Sequence, residues 1–102
     1  MSKLLELITP GEILLEEFLK PNEINQNQLA QRLGVPANRI NQIVNGKREI
    51  TADTALRLAR FFGISPEFWL NLQSHYNLEK AERESGNFIM EIIPIRSTKI
   101  KK

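Results

Sequence analysis

Between Asn38 and Arg48 the chain sets three asparagines, a glutamine, two arginines and a lysine, with no acid among them. Ile40, Ile43 and Val44 recur at helical spacing and turn inward, which leaves Asn38, Arg39, Asn41, Gln42 and Asn45 on the outward face. Carboxamides of this kind can bond N6 and N7 of adenine as a pair, and a guanidinium can grip guanine or a phosphate. A helix that is merely solvated would carry glutamates and lysines there. Asparagine is a poor helix former, so its repeated use serves something other than helix stability. Lys47 and Arg48 follow just past the helix end, and Gln26 opens the preceding helix. From those places they reach flanking phosphates, contacts that give affinity and register but little sequence information.

No other constellation in the chain carries chemistry. There is no cysteine, which excludes a disulfide scaffold, a thiolate metal site and a cysteine nucleophile. His75 is the single histidine and has no second ligand of its kind, so we expect no metal site. Ser74 precedes it, but neighbours on a helix diverge by about 100°, so no nucleophile–base pair forms. We expect no catalytic residue, no cofactor and no enzyme. Phe68 and Trp69 read as core, packing against Leu14 and Phe18, rather than as a ligand pocket. Glu12, Glu16 and Glu17 read as a solvated face that a basic partner could use. No apolar run approaches the roughly 18 residues that cross a bilayer, and no secretory signal is evident. The sequence is that of a cytoplasmic chain with no membrane partner.

At 102 residues the chain suits one compact domain, and a net charge of +2 conceals a pattern. Residues 1–23 balance to −3, residues 24–48 to +4, residues 49–95 to −3 and the last seven to +4. The amide-rich face therefore lies inside an acid-free basic window set in an acidic body, an arrangement that suits a polyanion.

Five short helices must position that window. Thr9-Pro10-Gly11-Glu12 is a capping box with proline at the first helical position, followed by Leu14, Leu15, Phe18 and Leu19 and stopped by Pro21. Asn25 and Gln28 form a second box ahead of Leu29, Ala30 and Leu33, and Gly34 is the left-handed terminator. The third helix opens at Pro36 and ends at Gly46. Thr51 caps the fourth, with Asp53 in its positive first turn and Ala55, Leu58, Ala59 and Phe62 as its stripe, closed by Gly63. Ser65-Pro66-Glu67 starts the fifth, which carries Phe68, Trp69, Leu72 and Tyr76 inward. Beyond Leu78 that helix turns polar and runs into solvent until Gly86-Asn87 breaks it. Ala30, four residues before Gly34, is small enough for a crossing helix, while Ile40 and Ile43 anchor that second helix. This is the spacing of a helix-turn-helix over 26–45, whose second helix enters the major groove. The same spacing also occurs in helical hairpins that bind nothing.

Phe88-Ile89-Met90-Glu91-Ile92-Ile93 is different in kind. It reads as a short β-prone strand that must pair with a second copy, pair with another partner, or stay unpaired. The closing Lys99-Ile100-Lys101-Lys102 reads as a mobile tail. The expected division is thus a helix-turn-helix domain over 1–86 and an apolar strand with a basic tail over 87–102.

The ordered motifs Thr9-Pro10-Gly11-Glu12-Ile13-Leu14, Ile43-Val44-Asn45-Gly46-Lys47-Arg48 and Ser65-Pro66-Glu67-Phe68-Trp69-Leu70 resemble those of the HigA (VapI) antitoxins, members of the Xre/Cro-like helix-turn-helix proteins. The resemblance runs from residue 8 to about 80. It implies an all-α, five-helix, lambda-repressor-like DNA-binding domain acting as a homodimer on double-stranded operator DNA. It also implies a HigB-like partner, a RelE-like ribosome-dependent mRNA endonuclease that the antitoxin neutralises while repressing the shared operon. Carried over by residue, the base-reading positions fall on Asn38, Arg39, Asn41 and Gln42. The phosphate-contacting positions fall on Gln26, Asn45, Lys47 and Arg48. The alternatives are a stand-alone Xre-type repressor without a toxin, or a protein-binding module with weak DNA affinity. An open reading frame for a basic protein of about 90 residues beside the gene would favour the antitoxin.

Overall fold

The computed structural model describes residues 7–95, so the expected basic tail lies outside the described residues. Five helical segments follow in order: α1 (Pro10–Ile13, continuing as a π-helical stretch Leu14–Leu19), α2 (Gln26–Leu33), α3 (Ala37–Val44), α4 (Ala52–Phe62) and α5 (Pro66–Met90). Both capping boxes form. Thr9 Oγ1 accepts the Glu12 N–H at 3.1 Å and Glu12 Oε1 accepts the Thr9 N–H at 2.9 Å. Asn25 and Gln28 exchange the same pair of bonds at 2.8 and 2.9 Å. Ser65 Oγ caps α5 by accepting from Phe68 N–H at 3.3 Å. Thr51 occupies the N-cap position of α4, but its side chain makes no capping bond.

The π-helical stretch has a packing consequence. In an α-helix residues five apart diverge by about 140°. Here the turn is wider, with Lys20 N–H bonding the Leu15 carbonyl at 3.0 Å, and Leu14 and Leu19 are both buried on one side. Between them Phe18 leans into an aromatic cluster, 4.8 Å from Trp69, 5.1 Å from Phe62 and 6.0 Å from Phe68 between ring centroids. The cluster continues into an apolar core of Leu29, Ala30, Leu33, Ile40, Ile43, Val44, Ile50, Ala55 and Leu58. Ile50 lies in the loop between α3 and α4. The buried Gln73 of α5 fixes that loop, its Oε1 accepting the Ile50 N–H at 2.9 Å.

Two glycines decide how the helices meet. At Gly34 (φ 73°) the chain turns left-handed, and the Gly34 and Val35 N–H groups bond back to Gln31 and Ala30 carbonyls at 3.2 and 3.0 Å. That closes α2 and frees α3 to cross it over Ala30, which is buried. Gly11 permits a second close crossing, of α1 over the end of α3. A Cβ built there would stand 1.9 Å from the Ile43 carbonyl oxygen.

The C-terminal expectation needs correction. Gly86 and Asn87 do not break α5, which runs unbroken to Met90 across the expected 86/87 boundary, and no strand occurs among the described residues. Phe88, Ile89 and Met90 are helical, and Ile92 follows in the turn whose N–H bonds the Ile89 carbonyl at 3.0 Å. A lone strand leaves a row of backbone groups unpaired, whereas helix continuation pairs them locally. One helical glycine costs only about 1 kcal/mol against that. From Asn77 to Met90 the helix is almost wholly exposed, as its polar composition predicts for 79–87 but not for the apolar Phe88, Ile89 and Met90.

Candidate nucleic-acid interface

The eight residues of α3 rest on Ile40, Ile43 and Val44, all buried, so the other side of the helix faces solvent. Asn38, Asn45, Lys47 and Arg48 are exposed, while Arg39, Asn41 and Gln42 are half-buried. Each of these three half-buried side chains is hydrogen-bonded to another side chain. Asn41 Nδ2 donates to Gln26 Oε1 at 2.6 Å, joining the middle of α3 to the start of α2. That bond leaves Asn41 with a free Oδ1 and one free N–H, the pair that adenine N6 and N7 require. It also leaves the Gln26 NH2 free to donate to a phosphate. Arg48 Nε donates to Gln42 Oε1 at 2.8 Å, so the loop after α3 steadies the second amide in the same way. Asn38, Asn45 and Lys47 have no side-chain partner among the described residues and stand ready for an outside one.

Arg39 behaves differently. Its Nη1 donates to Asp53 Oδ2 at 2.6 Å and lies 3.5 Å from the buried Thr54 Oγ1, leaving the side chain only 27% exposed. Arg57 Nε donates to the same Asp53 oxygen at 2.9 Å, and Arg57 Nη1 donates to the Leu33 carbonyl at 2.7 Å. The hydrogen bond from Arg39, and after it that from Arg57, holds the Asp53 carboxyl below its usual range.

A helix-turn-helix family profile matches residues 15–69. The virulence-associated protein I of Dichelobacter nodosus is 51% identical over 88 residues, which cover 86% of this chain and 81% of that protein. An addiction module antidote protein of the HigA family from Coxiella burnetii superposes with a TM-score of 0.83 at 53% identity, covering 88% of this chain and 99% of that one. The antitoxin HigA of Pseudomonas aeruginosa, solved with the higBA promoter, superposes at 0.84 with 46% identity over 88% of this chain and 99% of that one. This chain belongs to the HigA-type helix-turn-helix antitoxins. Like its family, the HigA-type chain is a DNA-binding regulator and not an enzyme. No helix among its described residues is long and apolar enough to cross a membrane.

Within this HigA-type fold the eight expected site residues separate into two arrangements. Gln26, Asn38, Asn41, Gln42, Asn45, Lys47 and Arg48 lie on α3, on the loop after it and at the adjoining start of α2, and two hydrogen bonds join four of them in two pairs. Arg39 is drawn away from that set, toward α4. Asp53, which fastens it there, and Arg57, which shares the same Asp53 oxygen, carry no periodic signal that marks them. The one available hint was a carboxylate in the first turn of α4, which reads equally well as a helix-dipole partner.

Proposed function

We propose that this HigA-type chain is a sequence-specific operator-binding antitoxin that represses its own operon as a dimer and neutralises a RelE-like mRNA endonuclease toxin. The observation that carries the DNA half of the reading is the acid-free face of α3, on which Asn41 is held by Gln26 with its adenine-reading atoms free. Asn38, Asn41 and Gln42 are the residues for base edges, and Gln26, Asn45, Lys47 and Arg48 are those for phosphates. Arg39 also falls on the family's reading positions, but its Nη1 is bonded to Asp53. The toxin half rests on kinship with HigA antitoxins.

Two substitutions separate reading from gripping. Asn41→Ala is expected to cost on the order of 1–3 kcal/mol at one base position and to relax selectivity there. Lys47→Ala is expected to weaken binding to every duplex alike and to lower the slope of log K against log salt by about 1. Fluorescence anisotropy on operator and scrambled duplexes at several salt concentrations measures both. If the two variants behave identically on both duplexes, base readout by α3 is refuted. Co-expression with the adjacent open reading frame, scored by growth rescue, tests toxin neutralisation.

Dimerisation finds support at the end of α5. Phe88, Ile89, Met90, Ile92, Ile93 and Ile95 are all exposed large apolar residues, and Glu91 is the one charge among them. Contiguous patches of this kind mark association surfaces. A two-fold dimer would set its reading helices roughly 34 Å apart on an inverted repeat. Removal of residues 87–102 is expected to give a monomer in sedimentation, and an unchanged dimer would rule out this surface.

A further inference from the structure

We propose that Asp53, on α4 and outside the helix-turn-helix, is a positioning residue for the reading helix, and that Arg39 is the strut it grips rather than a reader of bases. The inference rests on the operator-binding reading above and adds to it a residue that sets the pose of α3. The contacts that hold α3 from beneath come from Ile40, Ile43 and Val44 and are apolar, hence non-directional. Directional bonds fix the rotation of a short helix, and toward its start the Arg39–Asp53 pair at 2.6 Å supplies one. The same carboxylate oxygen holds Arg57, whose other nitrogen bonds the Leu33 carbonyl at the end of α2. One oxygen thus sets both halves of the helix-turn-helix against α4.

A base-reading arginine must spend its planar fork on guanine O6 and N7. Arg39 has turned its Nη1 to Asp53 and Thr54 and lies three-quarters covered, whereas Asn38 beside it is exposed. The three ionic side chains are all partly exposed, so their pairing adds little to folding stability. The consequence of removing it should be read in DNA binding and not in the melting temperature.

The sign of the charge effect makes the test sharp. Asp53→Ala removes an acid, which by electrostatics alone should strengthen binding to any DNA. The full-length chain is first used to select duplexes from a randomised library, and the selected duplex is then substituted one base pair at a time. Asp53→Ala is expected to bind the selected duplex about tenfold more weakly while binding scrambled duplex as well as or better than the wild type. Its melting temperature should stay within about 5 °C of the wild type. Arg39→Ala should lower affinity across all base positions together, and the double variant should lose little more than either single one. Loss of discrimination at one base pair in Arg39→Ala, or undiminished selected-duplex binding in Asp53→Ala, would overturn the proposal. A wild-type chain that enriches no sequence would overturn the operator reading itself, and this proposal with it.

Discussion

Gly11→Ala is expected to melt about 12 °C or more below the wild type in a thermal unfolding scan followed by circular dichroism. The added methyl would stand 1.9 Å from the Ile43 carbonyl oxygen, 2.7 Å from the Ile43 carbonyl carbon and 2.8 Å from the Val44 Cα. All three are backbone atoms, so no rotamer change can relieve the clash. α1 must lift from α3, or the end of α3 must bend away. Overpacking of this severity costs about 3 kcal/mol or more, a large share of a small domain's stability. The displaced segment leads directly into Lys47 and Arg48, so the surviving folded fraction should also bind DNA less well. An unchanged melting temperature would show that the two helices do not meet as described.

Trp69→Ala should be comparably damaging, at about 3–5 kcal/mol by denaturant titration. Trp69 is fully buried, with Phe18, Phe68 and Phe62 around it at 4.8, 5.1 and 6.0 Å. It is where α5 meets the π-helical stretch and α4, so truncation opens a cavity at the joint of three elements. The indole Nε1 is buried with no hydrogen-bond partner among the described residues. An unmet buried donor offsets part of what the ring contributes. Trp69→Phe, which removes that donor and keeps an aromatic ring, should therefore cost much less than Trp69→Ala. Equal losses in the two variants would contradict this account.

The parts of the fold legible in the sequence are those in which local chemistry and tertiary packing agree. Thr9 with Glu12 and Asn25 with Gln28 announce helix starts, and the structure contains both boxes. The Ala30–Gly34–Ile40–Ile43 spacing announces two crossing helices because each residue type has one steric reason to be there. The amide face of α3 was legible for the same reason, since period and composition pointed the same way. The fate of a long side chain was not. Helical period alone puts Arg39 outward beside Asn38, and only the position of α4 reveals that its guanidinium folds back onto Asp53. Gln73 and Ile50 are hidden similarly, a polar residue and a loop residue buried together by a bond spanning 23 positions. Residues 88–93 misled in the opposite direction. Their β-branched composition favours a strand, yet a strand with no neighbour is outcompeted by a helix already in progress, which takes in Phe88, Ile89 and Met90 before it ends.

The projecting half of α5 has a consequence for how the molecule wears in solution. Trp69 and Gln73 anchor its first turns, but beyond Asn77 its backbone bonds are shielded by almost nothing else. Unwinding that stretch exposes little new apolar surface, so it opens at a small fraction of the free energy that unfolds the domain. Its amides should surrender deuterium protection first, and a protease should nick it while the reading helix is still intact. Whatever occupies the apolar end of α5 would then act as its splint, and the rate of nicking would report how often the splint is on.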